Sequence, residues 1–273
     1  MIFDTHAHYD DSLFDGDRDE VLAGLPAAGV GRVVDAGSTV RSLSRIRELT
    51  GKYEFVYGAA GLHPDEVGGL TDEVLAEIRS LLENPKFVAV GEIGLDYHWD
   101  VEPHDVQIRC FKEQIRLAHE MKKPVIVHSR AAALDTMTVI REMYSQDGEL
   151  AGSGGGLADY REGRRVPGVI HSYSGSYEQA KIYTGLGFCL GIGGVVTYPT
   201  SKKLKKVVAG IDLSYLVLET DCPYLTPEPR RGERNTSAML SYVAEAVAGI
   251  KGVSRETVED VTWRNAERLF GMA

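Results

Sequence analysis

Short apolar runs rich in β-branched residues alternate with amphipathic segments along the whole chain. Eight such runs occupy residues 2–6, 32–37, 55–61, 87–92, 125–128, 169–171, 188–192 and 216–221. The segments between them repeat apolar residues at the spacing of one helix face, as Val74, Ile78 and Leu81 do. Alternation of this kind predicts repeated β-α units built around a parallel sheet.

Eight parallel strands and a final helical segment at residues 254–270 predict an α/β protein, a single-domain (β/α)8 TIM barrel over residues 1–273. An open doubly wound sheet is the alternative. The sequence after the first run, T-H-A-H-Y-D, does not fit the G-x-G-x-x-G fingerprint of that fold. The glycines near residues 191–194 predict a turn that needs positive φ.

A Gly-rich insertion at residues 145–167 interrupts this alternation and carries three arginines in its second half. The segment joins a predicted helix to the next strand, so it begins on the barrel face opposite the active site. We therefore interpret it as a surface insertion, which costs little in loop-closure entropy. A mobile basic arm beside the active face is the alternative interpretation.

Composition and charge exclude several classes of protein. The 273 residues include 30 Lys+Arg and 40 Asp+Glu, a net charge of −10 that argues against a protein coating nucleic acid through a basic surface. Three separated cysteines, Cys110, Cys189 and Cys222, do not suggest a disulfide framework or a thiolate zinc site. No targeting segment or apolar run of about 20 residues is evident. We expect a cytoplasmic protein with no membrane association and no obligate protein partner.

Potential metal ligands stand where five of the predicted strands end. The first strand ends in His6-Ala7-His8, the fourth in Glu92, the fifth in His128, the sixth in His171 and the eighth in Asp221. The C-terminal ends of barrel strands converge on one face, so these side chains should meet there. A single buried histidine is more often a satisfied core residue than a ligand, but five strand ends of this kind favour a metal site. Six nitrogen and oxygen ligands suffice for two divalent ions that share one carboxylate.

Five further residues are candidates for substrate contact. Arg130, two residues past His128, is placed to contact a phosphate, or else to form a salt bridge in the barrel rim. His63 follows the third strand and Tyr97 the fourth, where both can orient substrate oxygens. Tyr224 can stack a base or simply pack, and Asn235 can hold a loop or touch substrate.

Six motifs along the chain resemble those of the TatD family of metal-dependent hydrolases, within the wider amidohydrolase-like barrel group. They are F-D-T-H-A-H at 3–8, G-L-H-P at 61–64, V-G-E-I-G-L-D-Y at 90–97, P-V-I-V-H-S-R at 124–130, H-S-Y-S-G at 171–175 and E-T-D-C-P-Y-L at 219–225. The resemblance implies a (β/α)8 barrel and a divalent-metal deoxyribonuclease of 3′-exonuclease character. It also implies that His6, His8 and Asp221 contact one ion, that His128 and His171 bind a second, and that Glu92 bridges them.

The expected chemistry is hydrolysis by water activated between two divalent ions, Mg, Mn or Zn, lying roughly 3.5–4 Å apart. Asp221 is the expected general base, and Glu92 completes the catalytic centre. DNA ends or a small phosphoester are the expected substrates. A small ester, lactone, amide or aminoacyl-tRNA ester is the alternative, because the same activated water serves both reactions. A non-catalytic metal-bound partner protein is the third hypothesis.

Overall fold

Eight parallel strands form a nearly closed barrel in the computed structural model, which describes residues 1–152 and 166–272. The strands are β1 (Ile2–Ala7), β2 (Val30–Ala36), β3 (Val56–Ala59), β4 (Phe87–Asp96), β5 (Val125–Arg130), β6 (Gly168–Ile170), β7 (Cys189–Ile192) and β8 (Leu216–Leu218). Each strand pairs with the next in parallel register. The His6 carbonyl accepts hydrogen bonds from the Thr220 and Asp221 amides, which brings the chain after β8 beside β1. The predicted TIM barrel is confirmed.

Helices follow the strands and pack around the barrel. Those in the described residues are α1 (Arg18–Gly24), α2 (Val40–Lys52), α3 (Asp72–Leu82), α4 (His104–Glu120), α5 (Ala133–Tyr144), α6 (Tyr177–Gly185), α7 (Lys202–Gly210), α8 (Leu240–Lys251) and α9 (Arg255–Phe270). The last helix begins after Ser254, whose hydroxyl accepts from the Thr257 amide, and ends at Gly271 in the left-handed conformation. The predicted helical segment at 254–270 is therefore confirmed. No helix in the described ranges is both long and apolar enough to cross a bilayer.

The barrel strands are buried on both faces because helices cover the sheet from outside. All six residues of β1 and all ten of β4 are buried. On the outer face, Phe3 packs against Trp263 and Phe270 of α9, with ring centroids 5.5 and 5.7 Å apart. This packing fixes β1, and with it the histidines at its C-terminal end.

Strand ends differ from the predicted positions in ways that affect the site. Strand β4 continues past Glu92 to Asp96, whereas β6 and β8 end before His171 and Asp221, which lie in the following loops. The positive-φ interpretation of the glycines at 191–194 is wrong, because Gly193 has φ −110° and the positive-φ glycines lie elsewhere in the described chain. Most of the predicted insertion, residues 153–165, lies outside the described residues.

Candidate metal centre

The predicted ligands converge at the mouth of the barrel. A cavity of about 800 Å³ opens there, lined by His8, Glu92, His128, His171 and Asp221 among others. His6 lies beneath it and is fully buried. The geometry divides the histidines into two groups on either side of Glu92.

The first group joins β1 to the loop after β8. The Nε2 atoms of His6 and His8 lie 3.0 Å apart, and both face Glu92 Oε2, at 3.4 and 3.5 Å. Asp221 Oδ1 approaches the same two atoms at 3.6 and 3.4 Å. His8 Nδ1 is 3.0 Å from the Ala36 carbonyl oxygen, which is an acceptor, so a proton on Nδ1 leaves the Nε2 lone pair directed at the group.

The second group lies on the other oxygen of the same carboxylate. Glu92 Oε1 is 2.7 Å from His128 Nδ1 and 2.9 Å from His171 Nε2. The remaining ring nitrogen of each histidine faces another carboxylate: His128 Nε2 lies 3.0 Å from Asp96 Oδ2, and His171 Nδ1 lies 3.5 Å from Glu219 Oε1. Carboxylates behind histidines in this way orient metal-ligating imidazoles.

The protonation of this cluster fits a cation site. Burial alone would raise the pKa of the Glu92 carboxyl, but the facing imidazoles of His171 and His6 hold it well below its ordinary value. Burial opposes charge on His8 as well, yet Asp221 and Glu92 raise the pKa of its imidazole well above the usual range. The pKa values of the His128 and His171 imidazoles are raised as well, whereas burial and the neighbouring His171 imidazole lower that of His6. Protons on His8, His128 and His171 thus balance the carboxylates, and a divalent ion can replace them on binding.

Unpaired buried atoms point the same way. His6 Nδ1 has no hydrogen-bond partner among the described residues although the ring is fully buried. His6 Nε2 faces His8, Glu92 and Asp221, and the His6 ring stacks on that of His171 with centroids 3.9 Å apart. Two neutral imidazole nitrogens 3.0 Å apart, as in His6 and His8, cannot both present lone pairs without a proton or cation between them. The donor set of imidazoles and carboxylates therefore suits a divalent metal.

Two glycines allow the close approaches that build the second group. Gly94 has φ +148°, and a Cβ there would lie 2.0 Å from the carbonyl oxygen of His128. A Cβ on Gly191 would lie 2.0 Å from Glu219 Oε2, so the absence of a side chain makes room for that carboxylate. Glu219 also accepts a hydrogen bond from the Ser172 amide, next to His171.

Three of the predicted substrate-contact residues line the cavity. His63 lies with its ring 4.4 Å from that of His128, and its Nδ1 accepts from the Asp65 amide. Arg130 also lines the cavity. Tyr224 does so while 51% exposed, and its hydroxyl donates to Asp11.

Tyr97 and Asn235 are placed differently. The Tyr97 hydroxyl donates to Asp135 at 2.8 Å, and its ring stacks on His104 outside the cavity lining. Asn235 is fully buried, and its side-chain amide donates to the carbonyls of Thr220 and Tyr224. Of the two roles expected for Asn235, the structure shows the loop-holding one.

Sequence reasoning missed the carboxylates that contact the histidines from behind, Asp96 and Glu219. Both are buried, at 1% exposure. A signal for Glu219 was present, because it is an acid within the apolar run 216–221 and two residues before Asp221, and a buried acid needs a charged or hydrogen-bonding partner. Asp96 gave no comparable signal, since the predicted strand stopped four residues earlier.

A parallel (β/α)8 barrel with a histidine and carboxylate cluster at its C-terminal face defines a class of metal-dependent hydrolases. The family model described as TatD related DNase matches residues 3–271. The chain belongs to the TatD family of metal-dependent hydrolases, as its motifs predicted.

Relatives match over almost their full length. The uncharacterized metal-dependent hydrolase YabD of Bacillus subtilis (strain 168) is 40% identical over 270 residues, covering 99% of each chain. The 3'-5' ssDNA/RNA exonuclease TatD of Cronobacter sakazakii is 30% identical, covering 98% of this chain and 97% of its own. The crystal structure of YjjV, a TatD homolog from Escherichia coli K12, has a TM-score of 0.86 at 29% identity and covers 100% of this chain and 98% of its own.

Proposed function

We propose that this protein is a deoxyribonuclease that hydrolyses phosphodiester bonds at DNA ends, in the manner of a 3′-exonuclease, with two divalent ions. The observation that carries the proposal is the position of Glu92, whose Oε2 faces His6 and His8 while Oε1 faces His128 and His171. One carboxylate between two histidine pairs suits a centre of two ions with a shared ligand. The activity named for the Cronobacter relative supports nucleic acid as the substrate.

The proposal assigns each ion its ligands. His6, His8 and Asp221 would hold the first ion, His128 and His171 would hold the second, and Glu92 would be a ligand of both. When bound, the ions supply an activated water and neutralise negative charge on the phosphate. Imidazoles favour Zn²⁺ on affinity, whereas Mg²⁺ and Mn²⁺ suit carboxylates, and cellular availability decides among them. Elemental analysis of protein purified without added metal identifies the ion.

Asp221 has the position and charge of a general base. The hydrogen bond from His8 and the nearby imidazoles lower the pKa of its buried carboxyl, although burial alone would raise it. Asp221 is therefore ionised at neutral pH and able to take a proton from the attacking water. Either Asp221 in turn or solvent returns a proton to the leaving oxygen.

The cavity lining suggests how a strand end is held. Arg130 is placed to contact a phosphate, Tyr224 to stack a base, and His63 to orient a substrate oxygen. Tyr97 and Asn235 act indirectly in this proposal, by fixing the loops on which the contacting residues stand.

One observation favours a second candidate. Arg130 is the sole Lys or Arg among the described residues that line the cavity, so few phosphates can be held. The alternative substrates need at most one such cationic side chain. They are a small phosphoester, or a small ester, lactone, amide or aminoacyl-tRNA ester. We expect either reaction to take place in the cytoplasm.

The deciding assay compares two substrates with the same protein. Purified enzyme loaded with Mg²⁺ or Mn²⁺ is given end-labelled single-stranded DNA and, separately, a panel of aryl esters, with Glu92→Ala as the control. We expect stepwise release of nucleotides that Glu92→Ala abolishes. Ester turnover without nucleotide release would overturn the nuclease proposal and select the alternative.

A further inference from the structure

Trp99 is an exposed aromatic residue in the loop after β4. Its side chain is 61% exposed, yet it lines the cavity beside the candidate metal centre. Burying an indole contributes more to stability than burying most side chains, so a tryptophan left open at the mouth of a polar cavity points to a ligand. The other exposed aromatic residue of the cavity, Tyr224, lies after β8, half the barrel circumference away.

A single carboxylate fixes the position of Trp99 relative to the candidate metal centre. Asp96 Oδ1 accepts hydrogen bonds from the amides of His98 and Trp99, at 2.8 and 3.4 Å. Asp96 Oδ2 is the atom that faces His128 Nε2, at 3.0 Å. Gln107 holds the Asp96 backbone through both its amide oxygen and its amide nitrogen. The loop carrying the indole is thus anchored to the same residue that orients a proposed ligand.

Arg130 stands beside the indole. Its guanidinium carbon lies 5.2 Å from the centroid of the Trp99 ring, within the range of a cation–π contact. Arg130 ends β5, and Trp99 lies three residues past the end of the adjacent β4, where Asp96 pairs with Arg130 and the Tyr97 amide donates to the Arg130 carbonyl. An aromatic face next to a cation matches a nucleotide, which offers a base to stack and a phosphate to neutralise.

We infer that Trp99 forms a nucleobase-stacking subsite, with Arg130 on the neighbouring phosphate, and that the substrate is a nucleotide chain end. The hydrolysis of the bound strand rests on the proposed function, but the binding of a base to Trp99 does not. Because Asp96 anchors the Trp99 loop and also faces His128, a base stacked on Trp99 would lie at a fixed position relative to the centre and present one phosphodiester to it. Small esters without a base would gain nothing from it.

Binding is tested by fluorescence, which does not require turnover. The chain has two tryptophans, and Trp263→Phe leaves Trp99 as the sole indole. The Mg²⁺-loaded variant is titrated with a phosphorothioate-linked oligothymidylate tetramer and with an abasic tetramer of the same backbone. We expect saturable quenching by the first and none by the second. Equal quenching by both, or none by either, would overturn the subsite.

Kinetics supply the second test. Trp99→Ala should lower kcat/KM on single-stranded DNA about ten- to hundredfold, mainly through KM, because stacking one base on an aromatic ring stabilises binding by that much. Activity on a strand with abasic terminal residues should change less than twofold, and Trp99→Phe should recover most of the loss. Tyr242→Ala, which removes an aromatic residue exposed outside the cavity lining, is the control.

The outcomes separate this inference from the proposed function. Hydrolysis of DNA without base-dependent quenching, or with equal loss on both strands, rejects the subsite and leaves the nuclease proposal standing. Base-dependent quenching in a protein that hydrolyses esters but releases no nucleotide rejects the nuclease proposal and supports the subsite.

Discussion

Glu219→Gln should weaken metal binding while leaving the fold intact. Glu219 Oε1 lies 3.5 Å from His171 Nδ1 and accepts the Ser172 amide proton, and the side chain is 1% exposed. Glutamine has the same shape and retains an acceptor oxygen for the Ser172 amide. It lacks the negative charge that strengthens His171 as a ligand. The substitution therefore removes the effect of the carboxylate on His171 but keeps its hydrogen bond with Ser172.

The expected magnitude follows from these contacts. Loss of a carboxylate behind a metal-ligating histidine typically lowers metal affinity about 10- to 100-fold, which is about 1.4–2.7 kcal/mol. Without metal, Glu219→Gln should unfold close to the wild-type temperature. Glu219→Ala should unfold earlier in either state, because leaving the buried Ser172 amide without an acceptor costs about 1–3 kcal/mol.

Calorimetric titration of chelator-treated protein with Mn²⁺ measures the number of ions and the dissociation constant of each. The loss of affinity should affect one of the two ions alone, either the more weakly or the more tightly bound one. Glu219 contacts a proposed ligand of just one ion. Glu245→Gln, the same change on the exposed face of α8, is the matched control. Wild-type affinity for both ions in Glu219→Gln, together with early unfolding of Glu219→Ala, would refute a role of Glu219 in metal binding. Its contribution would then be to the stability of the fold.

Three further predictions concern the centre and the cavity. Glu92→Ala and Asp221→Ala should each abolish hydrolysis, with Asp221→Ala retaining much of the bound metal by elemental analysis; turnover in either variant would contradict the mechanism. Gly94→Ala should lower the free energy of unfolding by more than about 2 kcal/mol, because its Cβ would lie 2.0 Å from the His128 carbonyl oxygen. Chemical denaturation measures this free energy. Gly249→Ala, where a Cβ meets nothing within 4 Å, is the control. The slope of log kcat/KM against log salt concentration on single-stranded DNA should be shallow, about −0.7 per phosphate held. Arg130 is the one Lys or Arg of the described lining. A slope steeper than about −3 would require more phosphate contacts than this cavity offers.

The position of the site could be predicted because barrel topology makes strand ends neighbours. His6 and Asp221 are far apart in sequence, but β1 and β8 are neighbours in the nearly closed barrel, and Asp221 in the loop after β8 has its Oδ1 3.6 Å from His6 Nε2. The apolar runs located the eight strands, and the polar residues at the ends of five of them marked the face. The exact strand ends were less accessible, because β4 continues four residues past Glu92 to Asp96, whereas β6 and β8 end before His171 and Asp221.

The supporting contacts could not be predicted because they depend on side-chain placement between distant elements. Gly191 illustrates the limit: its pattern suggested a turn that needs positive φ, whereas its role is to leave space for the Glu219 carboxylate. Close approach of a side chain from the neighbouring strand depends on the register of β7 against β8, where Gly191 pairs with Val217. A single sequence contains no measure of that register.

The charge of the cavity modifies the conclusion drawn from composition. The net charge of −10 argued against a nucleic-acid-coating protein, and the described cavity lining is itself acidic, with one arginine against several carboxylates. Those carboxylates lie in two parts of the lining: Asp10, Asp11 and Asp221 near β1 and β8, and Asp65, Glu92 and Asp96 near β3 and β4. Such a surface repels phosphate until divalent ions are bound, and the attraction is then confined to the ions and to Arg130. The attraction is therefore short in range, so the proposed selectivity for a strand end would have to come from contacts that do not depend on charge. The inferred stacking of a base on Trp99, next to Arg130, would be such a contact.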